Sequence, residues 1–219
     1  MPASAVRDQL RQAFGRWGLP GHLRVDNGAP WGSTGEWPTE LALWLIGLRI
    51  GMIWNTPRRP QENGVVERSQ GTANRWCEPW TCDSPEELQA RLERMDQLHR
   101  EVYPYRNGQS RAAFYPRLAH SGWAYAAESE HCLWDWSRVT AHLSCCYAVR
   151  QVDKRGLVSI YNRGHYVGKI HQGKKVHVMF DPDLNEWIFA DARGVQIRHK
   201  PATEISAERV MALDVTDRR

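Results

Sequence analysis

The chain has 219 residues, with 42% hydrophobic and 25% charged content, ordinary for a soluble globular protein with enough mass to bury a core. No apolar run reaches membrane-spanning length, and Met1-Pro2-Ala3-Ser4 lacks the apolar centre of a secretory signal. Five cysteines, an odd count with Cys145 and Cys146 adjacent, argue against a disulfide framework and for a reducing, cytoplasmic compartment. Cys77, Cys82 and the pair His131-Cys132 include no Cys-x-x-Cys, so zinc is not expected. The net charge of +4 is uneven: from Ser137 onward 14 Lys/Arg face 9 Asp/Glu, while the rest carries 15 against 16. The positive surplus therefore belongs to the C-terminal part, where a polyanion is favoured.

Along the chain, Ser4 is read as the cap of a helix to about Gly15, with Val6, Leu10 and Phe14 at helical spacing. Gly18-Leu19-Pro20-Gly21 breaks it, and His22 to Val25 reads as a short strand ending at Asp26. A loop over 27–37 leads to a helix opened by Pro38, with Leu41, Leu45 and Leu48 on one face. Met52 to Asn55 is a second strand, and Thr56 to Gln61, with prolines flanking two arginines, is a loop. A helix from Asn63 to about Cys77 carries Val66, Glu67 and Thr72. Ser84-Pro85-Glu86-Glu87 starts the next, with Leu88, Leu92, Met95 and Leu98 at apolar spacing. The helices 38–50, 63–77 and 84–103 are expected to hold most of the core outside the C-terminal strands.

Residues 107–144 have weak periodicity and read as a connector. Beyond it, alternation predicts strands over 148–152, 157–161, 165–170, 175–180, 186–190 and 195–199. Gly- and Asp-containing turns separate them, which suits a small antiparallel barrel. A final short helix is predicted over 207–213.

Two acidic residues carry the chemistry. Asp26 follows the first strand in Leu23-Arg24-Val25-Asp26-Asn27-Gly28, where Asn27 and Gly28 suit a sharp turn. Glu67 lies near the head of a helix in Pro57-Arg58-Arg59-Pro60-Gln61-Glu62-Asn63-Gly64-Val65-Val66-Glu67-Arg68. Carboxylates fixed on rigid elements suit divalent-metal phosphoryl chemistry. This arrangement, over about Arg24 to Ser69, resembles the integrase core shared by retroviral integrases and insertion-sequence transposases. Tyr161-Asn162-Arg163-Gly164-His165-Tyr166-Val167-Gly168 and Val178-Met179-Phe180-Asp181-Pro182-Asp183 resemble the barrel that follows that core in Mu-type transposases.

The resemblance implies an α/β fold: a truncated ribonuclease H-like core with two strands plus helices over 1–106, a connector over 107–144, a small all-β SH3-like barrel over 145–205 and a tail over 206–219. It implies DNA integration, with Asp26 and Glu67 as catalytic residues and ligands of Mg²⁺ or Mn²⁺. Glu62 is the rival to Glu67: motif register favours Glu67, and Glu62 reads as a first-turn acid stabilised by the helix dipole. A third acid, from a strand before Asp26, completes such a site. None matches it here, so the chain alone is not expected to catalyse strand transfer, and β-edge 22–25 is expected to lie unpaired. Double-stranded DNA, an N-terminal transposase portion and further copies of the chain are the expected partners. Arg58, Arg59, Arg68 and Arg75 near the acids, and Arg150, Lys154, Arg155, Arg163, Lys169, Lys174 and Lys175 on the barrel, are the expected phosphate contacts. Tyr161, Tyr166 and Trp187 alternate with these bases and read as barrel core rather than stacking platforms. The alternative is a non-catalytic DNA-binding or assembly protein derived from a transposase.

Overall fold

The computed structural model describes residues 2–32 and 37–216; residues 33–36 of the predicted loop and 217–219 of the tail lie outside the described residues. In chain order the elements are α1 (Ala3–Trp17), β1 (His22–Val25), α2 (Glu40–Gly47), β2 (Gly51–Trp54), α3 (Gly64–Cys77) and α4 (Pro85–Gln97). A short hairpin, β3 (Pro104–Arg106) and β4 (Gln109–Ser110), leads to α5 (Arg111–Phe114), α6 (Glu130–Leu133) and α7 (Trp136–Ser144). Six strands close the sequence with one helix after them: β5 (Tyr147–Gln151), β6 (Leu157–Ile160), β7 (Arg163–Tyr166), β8 (Lys175–Asp181), β9 (Glu186–Ala190), β10 (Gln196–Pro201) and α8 (Ala207–Ala212). The fold is mixed α/β with small sheets.

The chain gathers into two compact units. The first comprises Met1–Gln12, Gly21–Trp54 and Ala126–Arg219; the second comprises Ala13–Pro20 and Asn55–Tyr125. The segment 1–106 is thus shared between them.

In the first unit β1 and β2 pair in parallel, His22 opposite Gly51 and Val25 opposite Trp54, and α2 lies between them in sequence as the crossover of a β-α-β unit. Neither strand has another partner among the described residues. Thr39 caps α2, its hydroxyl accepting from the Ala42 N–H at 3.3 Å. The prediction of one apolar face is corrected, since every residue of α2 is buried. A helix that is apolar all round belongs inside a core. Its last carbonyl is satisfied there: the Gly47 carbonyl accepts from Asp135 N–H at 3.1 Å and from Arg138 Nη1 at 2.8 Å. Gly47 is also obligatory for packing, because a Cβ there would sit 2.1 Å from the Trp134 indole nitrogen. α2 packs on α7 and α8, and α7 packs on β8.

One ion pair ties the N-terminal helix into this core. Arg11 donates to both carboxylate oxygens of buried Glu130, at 2.9 and 2.7 Å, and Trp44 Nε1 donates to the same group at 3.1 Å. α1 begins at Ala3, so Ser4 sits inside its first turn rather than capping it.

Five of the six C-terminal strands fall within two residues of the predicted bounds, while the strand expected over 165–170 runs Arg163–Tyr166, with Lys169–His171 forming a 3₁₀ turn instead. Strands β10-β9-β8-β5 form one antiparallel sheet, and β6 and β7 form a separate hairpin. Among the described residues no closed barrel forms, which corrects that part of the expectation. Alternation still decides which side chains go inside: Val176, Val178 and Phe180 of β8 are buried, as are Trp187 and Phe189 of β9. Under them, buried Glu204 accepts from Trp187 Nε1 at 2.6 Å and pairs with His165 Nε2 at 2.9 Å.

The second unit is built differently. Ser84 caps α4, accepting from the Glu87 N–H at 3.1 Å, while the Glu87 carboxylate reaches back to the Asp83 N–H at 2.9 Å. The bond from the Asp83 N–H holds the Glu87 carboxyl below its ordinary pKa, and the Arg91 guanidinium bonded to it adds to the effect. Yet α4 buries no residue and α3 buries only Cys77. The expectation that 63–77 and 84–103 hold core is therefore corrected. Leu88, Leu92 and Met95 are half-buried, and Leu98 is exposed. Trp76, His99 and Tyr103 instead form a surface aromatic cluster, with ring centroids 5.4 to 6.0 Å apart.

Candidate functional site

Asp26 directly follows β1, in the first unit, and its side chain is exposed. No hydrogen bond or ion pair engages its carboxylate among the described residues. The turn after it is tight: Gly28 and Gly32 exchange two backbone bonds of 2.8 Å. Left-handed backbone is used at Gly32, φ 85°, and not at Gly28, which corrects the expectation for the Asp-Asn-Gly turn. Thr39 Oγ1 donates to the Pro30 carbonyl at 2.8 Å, and Trp54 Nε1 donates to the Trp31 carbonyl at 3.0 Å. These bonds tie the segment after Asp26 to α2 and β2, so the carboxylate stands on a braced element.

Glu67 belongs to the second unit. It lies in the first turn of α3, exposed, with its carboxylate likewise unengaged among the described residues. Glu62 is used locally instead: its Oε2 accepts from the Thr56 N–H at 2.8 Å, joining the β2–α3 loop to the short 3₁₀ turn Pro60–Asn63. Asn55 Nδ2 donates to Asn63 Oδ1 in the same loop. That role for Glu62 is structural, as a local cap.

Exposed carboxylates such as those of Asp26 and Glu67, unengaged among the described residues, are hard donors of the kind Mg²⁺ and Mn²⁺ take. Among the described residues no group of three or more His, Cys, Asp or Glu side chains is placed to hold a metal. The five cysteines are all free.

Of the arginines predicted as phosphate contacts in the second unit, Arg58 is exposed with φ 64°, a left-handed conformation that strains a side-chain-bearing residue. Arg59 and Arg68 are exposed, and Arg75 folds back so that its Nε donates to the Gly71 carbonyl at 3.2 Å.

On the β module, Lys154 and Arg155 sit in a turn made by Asp153, whose Oδ1 accepts from Arg155 and Leu157 N–H groups at 2.8 Å. Asp191 makes the same turn with Arg193 and Val195, at 2.8 and 2.9 Å. Backbone N–H groups bonded to the charged form hold both carboxyls below the ordinary Asp pKa. Each turn ends on a left-handed glycine, Gly156 or Gly194. The consequence is an arginine presented at the same place in each. Arg193 was missed from the sequence, although the Asp-x-Arg-Gly pattern of 153–156 recurs at 191–194.

Lys174, Lys175 and Arg193 converge with His171 on a groove of about 450 Å³. Lys169 and Arg163 are exposed elsewhere on the module, and Arg150 lies apart from the groove, half-buried on β5. All five lysines of the chain fall between Lys154 and Lys200. Of the aromatics, Trp187 is core and half-buried Tyr161 donates its hydroxyl to the Pro38 carbonyl at 2.7 Å. Tyr166 is exposed with the Arg198 guanidinium over its ring, contrary to the core reading.

No protein-family model matches the chain.

Proposed function

We propose that the chain serves DNA integration as part of an integrase-core transposase, with a ribonuclease H-like portion followed by a C-terminal β module. The observation that carries the proposal is the position of Asp26: a carboxylate exposed and, among the described residues, unengaged, at the carboxyl end of a parallel strand, on a turn braced by neighbouring elements. Carboxyl ends of parallel strands are where open α/β sheets place their chemistry. In this reading Asp26 and Glu67 hold Mg²⁺ or Mn²⁺. Bound divalent ions supply activation of the attacking oxygen and stabilisation of the leaving one. Arg58, Arg59 and Arg68, on the same unit as Glu67, take phosphates, while the C-terminal strands grip the DNA backbone with Lys154, Arg155, Arg163, Lys169, Lys174 and Lys175.

Strand transfer on labelled double-stranded oligonucleotides, with Mg²⁺ or Mn²⁺, tests this. The chain is assayed alone and after mixing with a transposase portion that supplies the third acid the resemblance calls for. Product formed by the mixture and lost with Asp26→Asn or Glu67→Gln is the expected result. Product that survives both substitutions would sink the metal assignment.

A second reading, a DNA-binding or assembly protein without catalysis, draws on the confinement of every lysine to the β module. Both readings expect backbone binding that weakens steeply with salt. Replacing Lys174 and Lys175 by Gln is expected to weaken binding and lower the slope of log affinity against log salt by about 2. A slope unchanged by the double substitution removes the groove from the interface.

A further inference from the structure

The groove that holds Lys174 and Lys175 has a third cation with no assigned role. Arg193, on the turn after β9, lines it beside them. All three are exposed, and among the described residues no hydrogen bond or ion pair engages their side-chain nitrogens. Asp191 is the carboxylate in the lining, so three cations face one acid there, with His171 next to them.

Strand register explains why they meet. β8 lies between β5 and β9. Gln151, at the end of β5, stands opposite Lys175. Val152 extends the contact: its N–H donates to the Lys174 carbonyl and its carbonyl accepts from the Gly173 N–H, both at 3.0 Å. On the other side His177 stands opposite Ala190, which brings Asp191 and its turn beside the start of β8. The turn of Asp153 with Lys154 and Arg155, the segment 171–175 and the turn of Asp191 therefore lie side by side at one end of the sheet. Two inter-strand spacings, about 10 Å, separate the outer two, close to the axial rise of about three nucleotides along one DNA strand.

Asp191 fixes what its turn presents. Its Oδ1 accepts from the N–H groups of Arg193 and Val195, and its own N–H donates to the Val195 carbonyl at 2.9 Å. Gly194, at φ 81°, supplies the left-handed step that closes the loop. A pinned backbone leaves less freedom to lose when the long side chain is ordered on a phosphate. Asp191 feels the Arg193 charge, yet no ion pair joins the two among the described residues, so the guanidinium is not spent on its own turn.

We propose that Arg193 is a further phosphate-contacting residue of the DNA interface and that Asp191 is its positioning residue, setting the guanidinium beside Lys174 and Lys175 so that one DNA strand crosses this end of the sheet. This rests on the reading that the β module holds DNA, and it needs neither acid of the metal assignment.

Fluorescence anisotropy of the full chain on two double-stranded oligonucleotides of unrelated sequence, across about 50 to 200 mM salt, tests it. Arg193→Gln is expected to weaken binding about fivefold on both and to lower the slope of log affinity against log salt by about 1. Arg193→Lys keeps the charge and is expected to keep the slope. Asp191→Asn and Asp191→Ala both remove the negative charge, but only Asn keeps an oxygen for the turn. Asp191→Ala is expected to bind about threefold more weakly than Asp191→Asn, and that difference is expected to vanish when Arg193 is already Gln. Lys200→Gln, an equal change of charge at the far end of β10, is expected to leave the slope unchanged. Thermal melts show whether each variant folds; Arg193 is exposed on a turn, so its variants remain informative should Asp191→Ala unfold. Binding indifferent to Arg193→Gln, an equal loss from Lys200→Gln, or no difference between Asp191→Ala and Asp191→Asn would each overturn the proposal. A slope lowered by replacing Lys174 and Lys175 but not Arg193 defeats this proposal alone, whereas a chain without DNA affinity defeats the binding reading with it.

Discussion

The two units use similar helices for opposite ends. Of the 32 apolar residues buried among the described residues, 28 lie in the first unit and four, Phe14, Leu19, Cys77 and Tyr125, in the second. Helix α2 is buried on every side, whereas α4 carries Leu88, Leu92 and Met95 at helical spacing and buries none of them. The second unit keeps its form through local devices: a capped α4, the Arg91 guanidinium joining Glu87 and the Cys77 carbonyl, and Trp17 flanked by Arg16 and Arg100 at 4.5 and 4.3 Å. Helical periodicity therefore states which residues share a face. It does not state whether anything covers that face.

The sharpest way to break this contrast is one substitution made in both units. Trp44 is fully buried and Trp80 is 73% exposed. Trp44→Ala is expected to cost about 3–5 kcal/mol, through lost burial and a cavity, in thermal or denaturant unfolding. Trp80→Ala is expected to stay within about 0.5 kcal/mol. Similar losses at the two positions would mean that the second unit's surface tryptophan is holding structure.

Next in size is Glu204→Ala. It leaves the Trp187 and His165 nitrogens buried without their acceptor, at a cost of about 2–4 kcal/mol. The loss should show as faster amide exchange in β7 and β9, and not in α3 or α4. Spread of the effect into α4 would show that the units unfold together.

A smaller effect is expected from Ser84→Ala, which removes the α4 cap at about 1 kcal/mol. In a unit with so little core, that loss should open α4 to exchange while β8 and β9 stay protected.

The smallest effect is expected from pH. Burial holds His99, in the second unit, and His142, in the first, below the ordinary imidazole pKa, and the Arg111 guanidinium adds to the effect at His99. Below an unfolded-state pKa of about 6.5 the unfolded chain then binds more protons than the folded one. Stability from these groups is whole above that pH and falls as pH drops from it through the folded-state value. Amide exchange at pH 7.5 and 5.5 should show each unit loosening on acidification, with His142→Gln abolishing the response in α7 and His99→Gln in the aromatic cluster.

Much of the local structure was legible in the residues themselves. Thr39 and Ser84 are short polar side chains that reach the backbone a turn ahead. Asp153 and Asp191 do the same for turns that end in glycine. Two-residue alternation from Ala148 to His199 marked six strands, one of them displaced, and put Val176, Val178 and Phe180 on one face. These are contacts between near neighbours, and short-range sterics and hydrogen bonding decide them.

What the sequence by itself determined, then, is where elements begin, end and turn, and the two acids with their motif. Tertiary structure alone decided that α2 is enclosed and α4 is not, that the strands form an open sheet with a hairpin, and that Glu62 caps a loop while Asp26, among the described residues, stays unengaged. It also decided that Tyr161 meets Pro38 and that Arg11 and Trp44 meet Glu130, pairs up to 123 positions apart. Burial and cavity walls depend on groups far apart in the chain, and no local pattern encodes which of those come to meet.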